Sequence, residues 1–424
     1  MIKESGLDKI LYQIKKFIPT SVFTFFQPAY HKGLAYGGAM RYGFPSRGMK
    51  LIGVTGTKGK STTVFMITKI LEESGAKVAA IGSLGFKIHD KQWPNTLKQT
   101  MPGRFRLQKF LSESKKAGCD FVVLEVTSEG IKQYRHLGIH FDTAVFLNIH
   151  REHLENHGSF ENYMKAKQEL FKITKHCHVL NADDTHLEDF NKFLTDKKVT
   201  FGIKYGDITP REMKSGESSS EFNVGDQKVL LNIGGEFNVL NALGAWAVAT
   251  AYSIQPEVIA EALSKIESIP GRLEFIQKEP FGIVVDYAHT PDSLEAVYKT
   301  LKPTNGRLIV VLGSCGGGRD RWKRSEFGAI ADRLTDEIIL TDEDPYEENP
   351  EDIIREIKVG IKRIEHIQVI MDRKEAIGHA ISIAQNGDTV VITGKGSEIS
   401  MAIAGNKKIP WSDKDIARSF LVQS

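Results

Sequence analysis

A 424-residue chain with 41% hydrophobic and 26% charged residues has a globular composition too long for one ordinary core, and its formal net charge of +3 gives no bulk-charge argument for nucleic acid. Cys119, Cys177 and Cys315 are widely spaced and odd in number, which excludes a disulfide framework or a common zinc spacing and fits a reducing cytoplasm. No apolar run reaches the ~20 residues that span a bilayer, and the N-terminus lacks the pattern of a signal peptide.

In chain order, Leu7, Ile10, Leu11, Ile14, Phe17 and Ile18 fall on one helical face that Pro19 ends, with Lys9, Lys15 and Lys16 off that face and Phe23, Phe25, Phe26 and Tyr30 following. The reading is a helix docked on the next domain; contact of residues 7–30 with a membrane surface is the less favoured alternative. From residue 50 strand and helix alternate: KLIGV, then TTVFMITKILEESG as a helix stopped at Gly75, then the buried-strand runs DFVVLEV and DTAVFLNI. SFENYMKAKQELFKIT predicts a helix, HCHVLNADD a strand and turn, residues 200–236 hairpins, and NVLNALGAWAVATAY a helix. A second alternating series follows residue 271: GIVVDYA, RLIVVLG, DEIILTD, IQVIMD and TVVITG. The expected fold is α/β: a short N-terminal segment (1–48), a central P-loop domain with a parallel sheet (49–270), and a Rossmann-like C-terminal domain (271–424).

The stretch GVTGTKGKSTT, Gly53 to Thr63, joins a strand to a helix opening at Lys60 and Ser61. Backbone N–H groups and the helix start would hold phosphate oxygens, Lys60 would reach the terminal phosphates and Ser61 would ligate Mg2+. Val54 stands where the strict P-loop pattern wants glycine, so the loop is a variant. Glu125, at the end of a buried strand, is well placed for the Mg2+ of a P-loop nucleotide and equally fits a structural ion pair. NIHREHLENHG carries His150, His153 and His157 without a cysteine near in sequence. A tetrahedral zinc is conceivable and a histidine on Mg2+ is unusual, so the residue types leave that choice open. By itself Lys167 reads as a solvated helix lysine.

Together these stretches resemble the Mur ligases, ATP-dependent amide-bond-forming enzymes of peptidoglycan synthesis, and within them the branch that adds the third residue of the stem peptide; the likeness runs from about residue 50 to the end. The resemblance implies an ATP loop of Gly56, Thr57, Lys58, Gly59, Lys60, Ser61 and Thr62, adenine-side Asn238 and Asn241 in FNVLNALGA, and nucleotide-side Asp286 and His289 in DYAHTPDSLE. It implies Arg272 of PGRLE reaching the phosphates on domain closure. It makes Ser61, Glu125, His153 and Lys167 metal ligands for two Mg2+ ions, with Lys167 carrying a carbamate formed from carbon dioxide. The catalytic set is then Lys60, Glu125, His153, Lys167 and Arg272. Thr100, Ser128, Arg135, Lys323, Arg324, Asp344, Pro345, Tyr346, Gly394 and Glu398 become substrate contacts.

Four departures qualify the likeness. About fifty residues precede the ATP loop, where the muramoyl ligases normally carry a domain that grips UDP, which puts that grip in doubt. Tyr346 stands where diaminopimelate-adding enzymes have an arginine for the second carboxylate, amid Asp342, Glu343, Asp344, Glu347 and Glu348. An acidic pocket suits a side-chain ammonium, so L-lysine or a similar diamino acid is favoured, joined to a UDP-N-acetylmuramoyl-dipeptide-like carboxylate; a solvated acidic loop is the alternative. Ser397 and Glu129 also depart, each standing where histidine is common. A folylpolyglutamate-synthetase-like ligase and a non-catalytic nucleotide-binding scaffold are the rival readings. The expected partners are small molecules, without nucleic acid, in the cytoplasm.

Overall fold

The computed structural model describes residues 20–421 except 98, 153, 319 and 406. The helix expected over residues 7–18 lies outside the described residues, as does His153. The first described element is a helix, Thr20–Arg41, that sequence patterning passed over. Pro28 and several glycines lower its propensity, but its small residues Ala35 and Ala39 are buried and Gly38 lies against Phe105 and Gln108. Phe26 and Tyr30, read as trailing aromatics, are exposed side chains of this helix.

β1 (Lys50–Thr55), β2 (Val78–Gly82), β3 (Gly85–Ile88), β4 (Lys91–Trp93), β5 (Phe121–Glu125), β6 (Thr143–Phe146), β7 (Cys177–Asn181) and β8 (Lys197–Phe201) form one sheet in the order β4-β3-β2-β5-β1-β6-β7-β8. The six strands from β2 to β8 in that order are parallel; β3 and β4 add an antiparallel edge. β1, β5, β6 and β7 are buried on both faces apart from Lys50, which is why they read as unbroken apolar runs rather than alternating ones. β9 (Arg211–Ser215), β10 (Ser220–Val224) and β11 (Gln227–Leu231) make the antiparallel hairpins expected before residue 236.

A third sheet comprises β12 (Glu274–Gln277), β13 (Gly282–Asp286), β14 (Leu308–Leu312), β15 (Glu337–Leu340), β16 (Ile367–Val369) and β17 (Thr389–Thr393), in the order β12-β13-β17-β14-β15-β16. All its pairings are parallel except that of β12, so this sheet is mixed. β18 (Ser400–Ile403) and β19 (Lys407–Pro410) form a hairpin. One apolar core runs continuously from Ile52 and Val123 through Trp246 to Val310 and Leu340, which ties the two large sheets into one body. The strand order reverses beside β1, and the loops at the carboxyl ends of β1, β5 and β6 open where ligands bind in such sheets. No helix among the described residues is long and apolar enough to cross a membrane.

Candidate active site

The glycine loop leaves β1 and enters the helix Lys60–Glu73 through Gly59, which sits at φ 79°. A β-carbon there would lie 2.2 Å from Asn241 Oδ1, so both backbone and space demand glycine. Asn148 braces the loop: its Oδ1 accepts from Thr57 N at 3.0 Å and Lys58 N at 2.9 Å. Thr57 Oγ1 lies 3.0 Å from the Tyr163 hydroxyl and accepts from His150 N at 3.0 Å. Lys60 Nζ arches back over the loop onto the carbonyls of Gly56 (2.9 Å) and Thr57 (2.8 Å). Burial lowers its pKa, Glu125 and Glu152 oppose that, and Arg272 adds to it.

Lys167 is not the solvated lysine its residue type suggested. It is buried in the helix Phe160–Ile173, and its Nζ donates to the Gly56 carbonyl at 2.7 Å beneath the loop. Burial first, then the Lys60 charge, push its pKa well below the ordinary range, with Glu152 pulling the other way. A buried amine held towards its neutral form is the nucleophilic form of that group. Glu152, which sequence reasoning passed over, is buried and acts on Lys58, Lys60 and Lys167 at once. Its signal was present as the acid beside His153 in the quoted block.

Glu125 ends β5 one strand from the loop, buried, with Oε1 accepting from Ser83 N at 2.7 Å. Ser83 Oγ lies 3.0 Å from Thr100 Oγ1, which links the expected acceptor contact Thr100 to this carboxylate. The Glu125 carboxylate and the Ser61 hydroxyl are hard oxygen donors, the kind Mg2+ takes, so this pair fits the ion on donor chemistry. No trio of His, Cys, Asp or Glu able to hold a metal gathers among the described residues. His150 approaches Asp292 (3.9 Å) and His157 Nε2 meets Ser128 Oγ (3.1 Å), so these two histidines point to different partners.

Asn238 and Asn241 are buried on the helix Glu236–Ala251, with Asn241 Oδ1 accepting from Thr63 Oγ1 at 3.3 Å. From the turn before β12, Arg272 stacks over the Tyr287 ring at 4.4 Å and extends NH2 to within 3.4 Å of Ser61 Oγ. Lys58 Nζ donates to Asp292 at 2.7 Å, a second crossing between the two halves. His289 makes a third: Nε2 lies 3.6 Å from Glu152 Oε1 while Nδ1 engages the Tyr287 carbonyl. Burial lowers the His289 pKa to about 4, so at neutral pH this contact is dipolar rather than an ion pair. Asp286, expected beside the nucleotide, spends its carboxylate on Leu273 N (2.8 Å) and Ala288 N (2.7 Å), bracing the turn that carries Arg272.

Arg135, buried, donates to the Met101 carbonyl and to Gln133 Oε1 on the Thr100 side, whereas Lys323, Arg324, Asp344, Pro345, Tyr346, Gly394 and Glu398 form a second cluster at the carboxyl ends of β14, β15 and β17. Asp344 (φ 43°) and Tyr346 (φ 52°) are both left-handed around Pro345, strain that a functional loop commonly stores. Gly394, at φ 105°, admits the Glu343 carboxylate, which a β-carbon would meet at 2.0 Å. The acids here are largely matched from within the chain, so the loop, exposed at Glu347, is not a bare negative pocket. Lys395 pairs with Asp344 (2.8 Å) and Glu398 (2.6 Å), and Arg324 with Glu348 (2.9 Å) and Glu356 (2.8 Å). Glu347 accepts from Gly405 N at 2.8 Å, and burial pushes Glu343 up to about 7. Arg324, fully buried, is thus a brace of the loop, and Lys323 Nζ holds the His289 carbonyl at 3.1 Å.

Against this geometry, the sequence matches the Mur ligase middle domain over residues 54–249 and the Mur ligase glutamate ligase domain over residues 271–396. A protein of Clostridium acetobutylicum named UDP-N-acetylmuramoyl-L-alanyl-D-glutamate–2,6-diaminopimelate ligase 1 is 39% identical over 92% of this chain and 82% of its own length. A Roseiflexus protein named UDP-N-acetylmuramyl-tripeptide synthetase is 37% identical, over 90% of this chain and 80% of its own. A solved structure titled as a UDP-N-acetylmuramoyl-L-alanyl-D-glutamate–2,6-diaminopimelate ligase superposes with TM-score 0.64 at 31% identity, covering 92% of this chain and 83% of that one. A folylpolyglutamate synthase of Mycobacterium tuberculosis superposes with TM-score 0.69 at 16% identity over 86% of this chain and 92% of that one, a likeness of fold alone.

Proposed function

We infer the reaction from one premise: this chain belongs to the Mur ligase family. It is an ATP-dependent ligase of peptidoglycan precursor synthesis, and we take its central and C-terminal units to divide at residues 270/271. The observation that carries the reading is the convergence on one glycine loop of a strand-end carboxylate (Glu125, paired across from Val54), a buried amine (Lys167) and an arginine from the turn before β12 (Arg272).

The acceptor is a UDP-N-acetylmuramoyl-dipeptide-like molecule whose carboxylate attacks the γ-phosphorus of ATP to give an acyl phosphate and ADP. The α-amine of a diamino acid then attacks the acyl carbon, and inorganic phosphate departs from the tetrahedral intermediate with the former carboxylate oxygen. Gly56 to Thr62 cradle the phosphates, Lys60 and Arg272 offset the charge that gathers between two anionic reactants, and Asn238 and Asn241 lie on the adenine side. Ser61 and Glu125 would hold one Mg2+, and His153 with carbamoylated Lys167 a second. Bound there, Mg2+ supplies Lewis-acid polarisation of phosphoryl oxygens. Lys167 in its neutral form adds to carbon dioxide through nitrogen, losing a proton to become an anionic ligand. The three cross-sheet contacts, Lys58–Asp292, Arg272–Ser61 and His289–Glu152, support a closed arrangement that keeps water from the acyl phosphate. Thr100, Ser128 and Arg135 face the acceptor, and the Asp344–Tyr346 loop with Gly394 and Glu398 faces the amino acid. The enzyme works in the cytoplasm on small molecules.

The preference for L-lysine rested on uncompensated acidity that the Lys395 and Arg324 pairs largely neutralise, so a diamino acid is the reading and L-lysine and 2,6-diaminopimelate are its two arms. Product mass after incubation with ATP, Mg2+ and UDP-muramoyl dipeptide separates them. The expected result is a condensation product with one of the two and stoichiometric ADP. No product with any amino acid, alongside phosphate release with dihydrofolate and glutamate, would favour the folate reading instead.

A further inference from the structure

The helix Thr20–Arg41 turns its small residues Ala35, Gly38 and Ala39 inward, packs against the helix Arg104–Lys116, and presents aromatics on its outer side. At the helical spacing, Phe26, Tyr30, Gly33, Tyr36, Gly37 and Met40 fall within one arc of about 120°, opposite those buried residues. No charge interrupts the arc; exposed Lys32 lies at one border and exposed Arg41 at the other. Tyr36 is 46% and Met40 64% exposed, and a β-carbon built at Gly33 would meet nothing within 4 Å, so the arc is open to the outside. Phe105, 38% exposed, widens it beside Gly37 and Gly38. The outward face of a surface helix ordinarily carries charged and polar side chains, so an uncharged aromatic one marks a contact surface.

The charge around this face has one sign. Between Asp8 and Glu72 the sequence has no acid, yet Lys9, Lys15, Lys16, Lys32, Arg41 and Arg47 all lie there, in a chain whose net charge is only +3. The helix Arg104–Lys116 adds exposed Lys115 and Lys116 in its last turn, and Lys115 Nζ donates to the Arg47 carbonyl at 2.9 Å. An aromatic face bordered by cations complements a surface that is apolar within and anionic at its edge, whereas a second copy of this chain would set like charges against each other. We propose that the outer arc of the helix Thr20–Arg41, with Phe105, seats on a bilayer bearing anionic lipids, the aromatics at the acyl boundary and the cations among the lipid phosphates. The contact is peripheral, since no helix among the described residues is long and apolar enough to cross a membrane. The apolar spacing of residues 7–18, with Lys9, Lys15 and Lys16 off that face, supplies the same chemistry directly before this helix, and two anchors hold where one is marginal. Lys32 lies over the Tyr134 ring at 5.0 Å, so the membrane face borders the acceptor side of the site. The proposal does not depend on the ligase reading.

The test is co-sedimentation of the full chain with vesicles of phosphatidylcholine alone and of an equal mixture of phosphatidylcholine and phosphatidylglycerol. The expected result is binding to the mixed vesicles at least about tenfold tighter than to the neutral ones, weakened by added salt. Two double variants then probe the face, Tyr36→Ser with Met40→Ser and Lys32→Gln with Arg41→Gln. All four side chains are exposed, so the melting curves stay those of the unaltered protein. The first pair should weaken binding to the mixed vesicles by about tenfold through lost apolar burial. The second should weaken it by about thirtyfold through two lost cations. No sedimentation with the mixed vesicles overturns the proposal, and so does sedimentation that neither variant weakens. A dimer that dissociates in the first variant, without vesicle binding, also overturns it and gives the face to a second copy of the chain.

Discussion

Replacing Lys60 by alanine lowers kcat for ADP formation by about 10³-fold, the order expected when a preorganised cation is removed from a developing phosphoryl charge. Its ammonium is poised over the loop on two backbone carbonyls, at 2.9 Å from Gly56 O and 2.8 Å from Thr57 O, and can swing from them to a phosphate oxygen without moving the backbone. Those contacts are to carbonyls that remain hydrogen-bonding groups in the variant, so the fold survives and the melting temperature moves little. A coupled ADP assay beside a thermal melt separates the two effects. Turnover within tenfold of the unaltered enzyme would remove Lys60 from the chemistry, and a chain that never forms ADP would restore the scaffold reading.

Replacing Lys167 by methionine is the second large effect. Methionine fills nearly the same volume but can neither carry a carbamate nor donate to Gly56 O. Ligation is expected to fall by about 10²- to 10³-fold while stability is retained, because a buried amine whose charge is disfavoured gives the fold little. The sign of the pH effect follows from the lowered pKa. Between that value and the ordinary lysine pKa the unfolded chain binds the extra proton, so this group's contribution to stability grows as pH rises through that window. The methionine variant loses that slope. With ¹³C-labelled bicarbonate, the unaltered protein should show a carbamate carbonyl resonance that the variant lacks; the same resonance in both would place the carbamate on another amine.

Much of this site was legible in the sequence where local chemistry sufficed. The strand–loop–helix around Lys60 and the strand-end Glu125 are short-range patterns, and the structure places them side by side across one strand pairing, Val54 beside Glu125. The burial of Lys167 was also written there and went unread. Tyr163, Lys167, Leu170 and Phe171 occupy one helical stripe, so the lysine falls on the apolar face by spacing alone. Other features depended on distant residues. The acidic loop reads as negative until Lys395, 51 positions on, and Arg324 are folded against it. The helix Thr20–Arg41 defies its proline and glycines because packing on Phe105 and Gln108 outweighs propensity. The bonds from Arg104 to the Gln133 carbonyl and from Arg135 to the Met101 carbonyl join loops that are distant in the chain, a clasp that no periodicity encodes.

In this reaction a carboxylate oxygen of the acceptor is phosphorylated and later leaves with the phosphate. The most direct measurement uses an acceptor whose reacting carboxylate is labelled with ¹⁸O, incubated with ATP, Mg2+ and the diamino acid, followed by mass analysis of the inorganic phosphate. One ¹⁸O atom per phosphate released is the predicted result. Phosphate free of label, with amide product formed, would contradict the acyl phosphate.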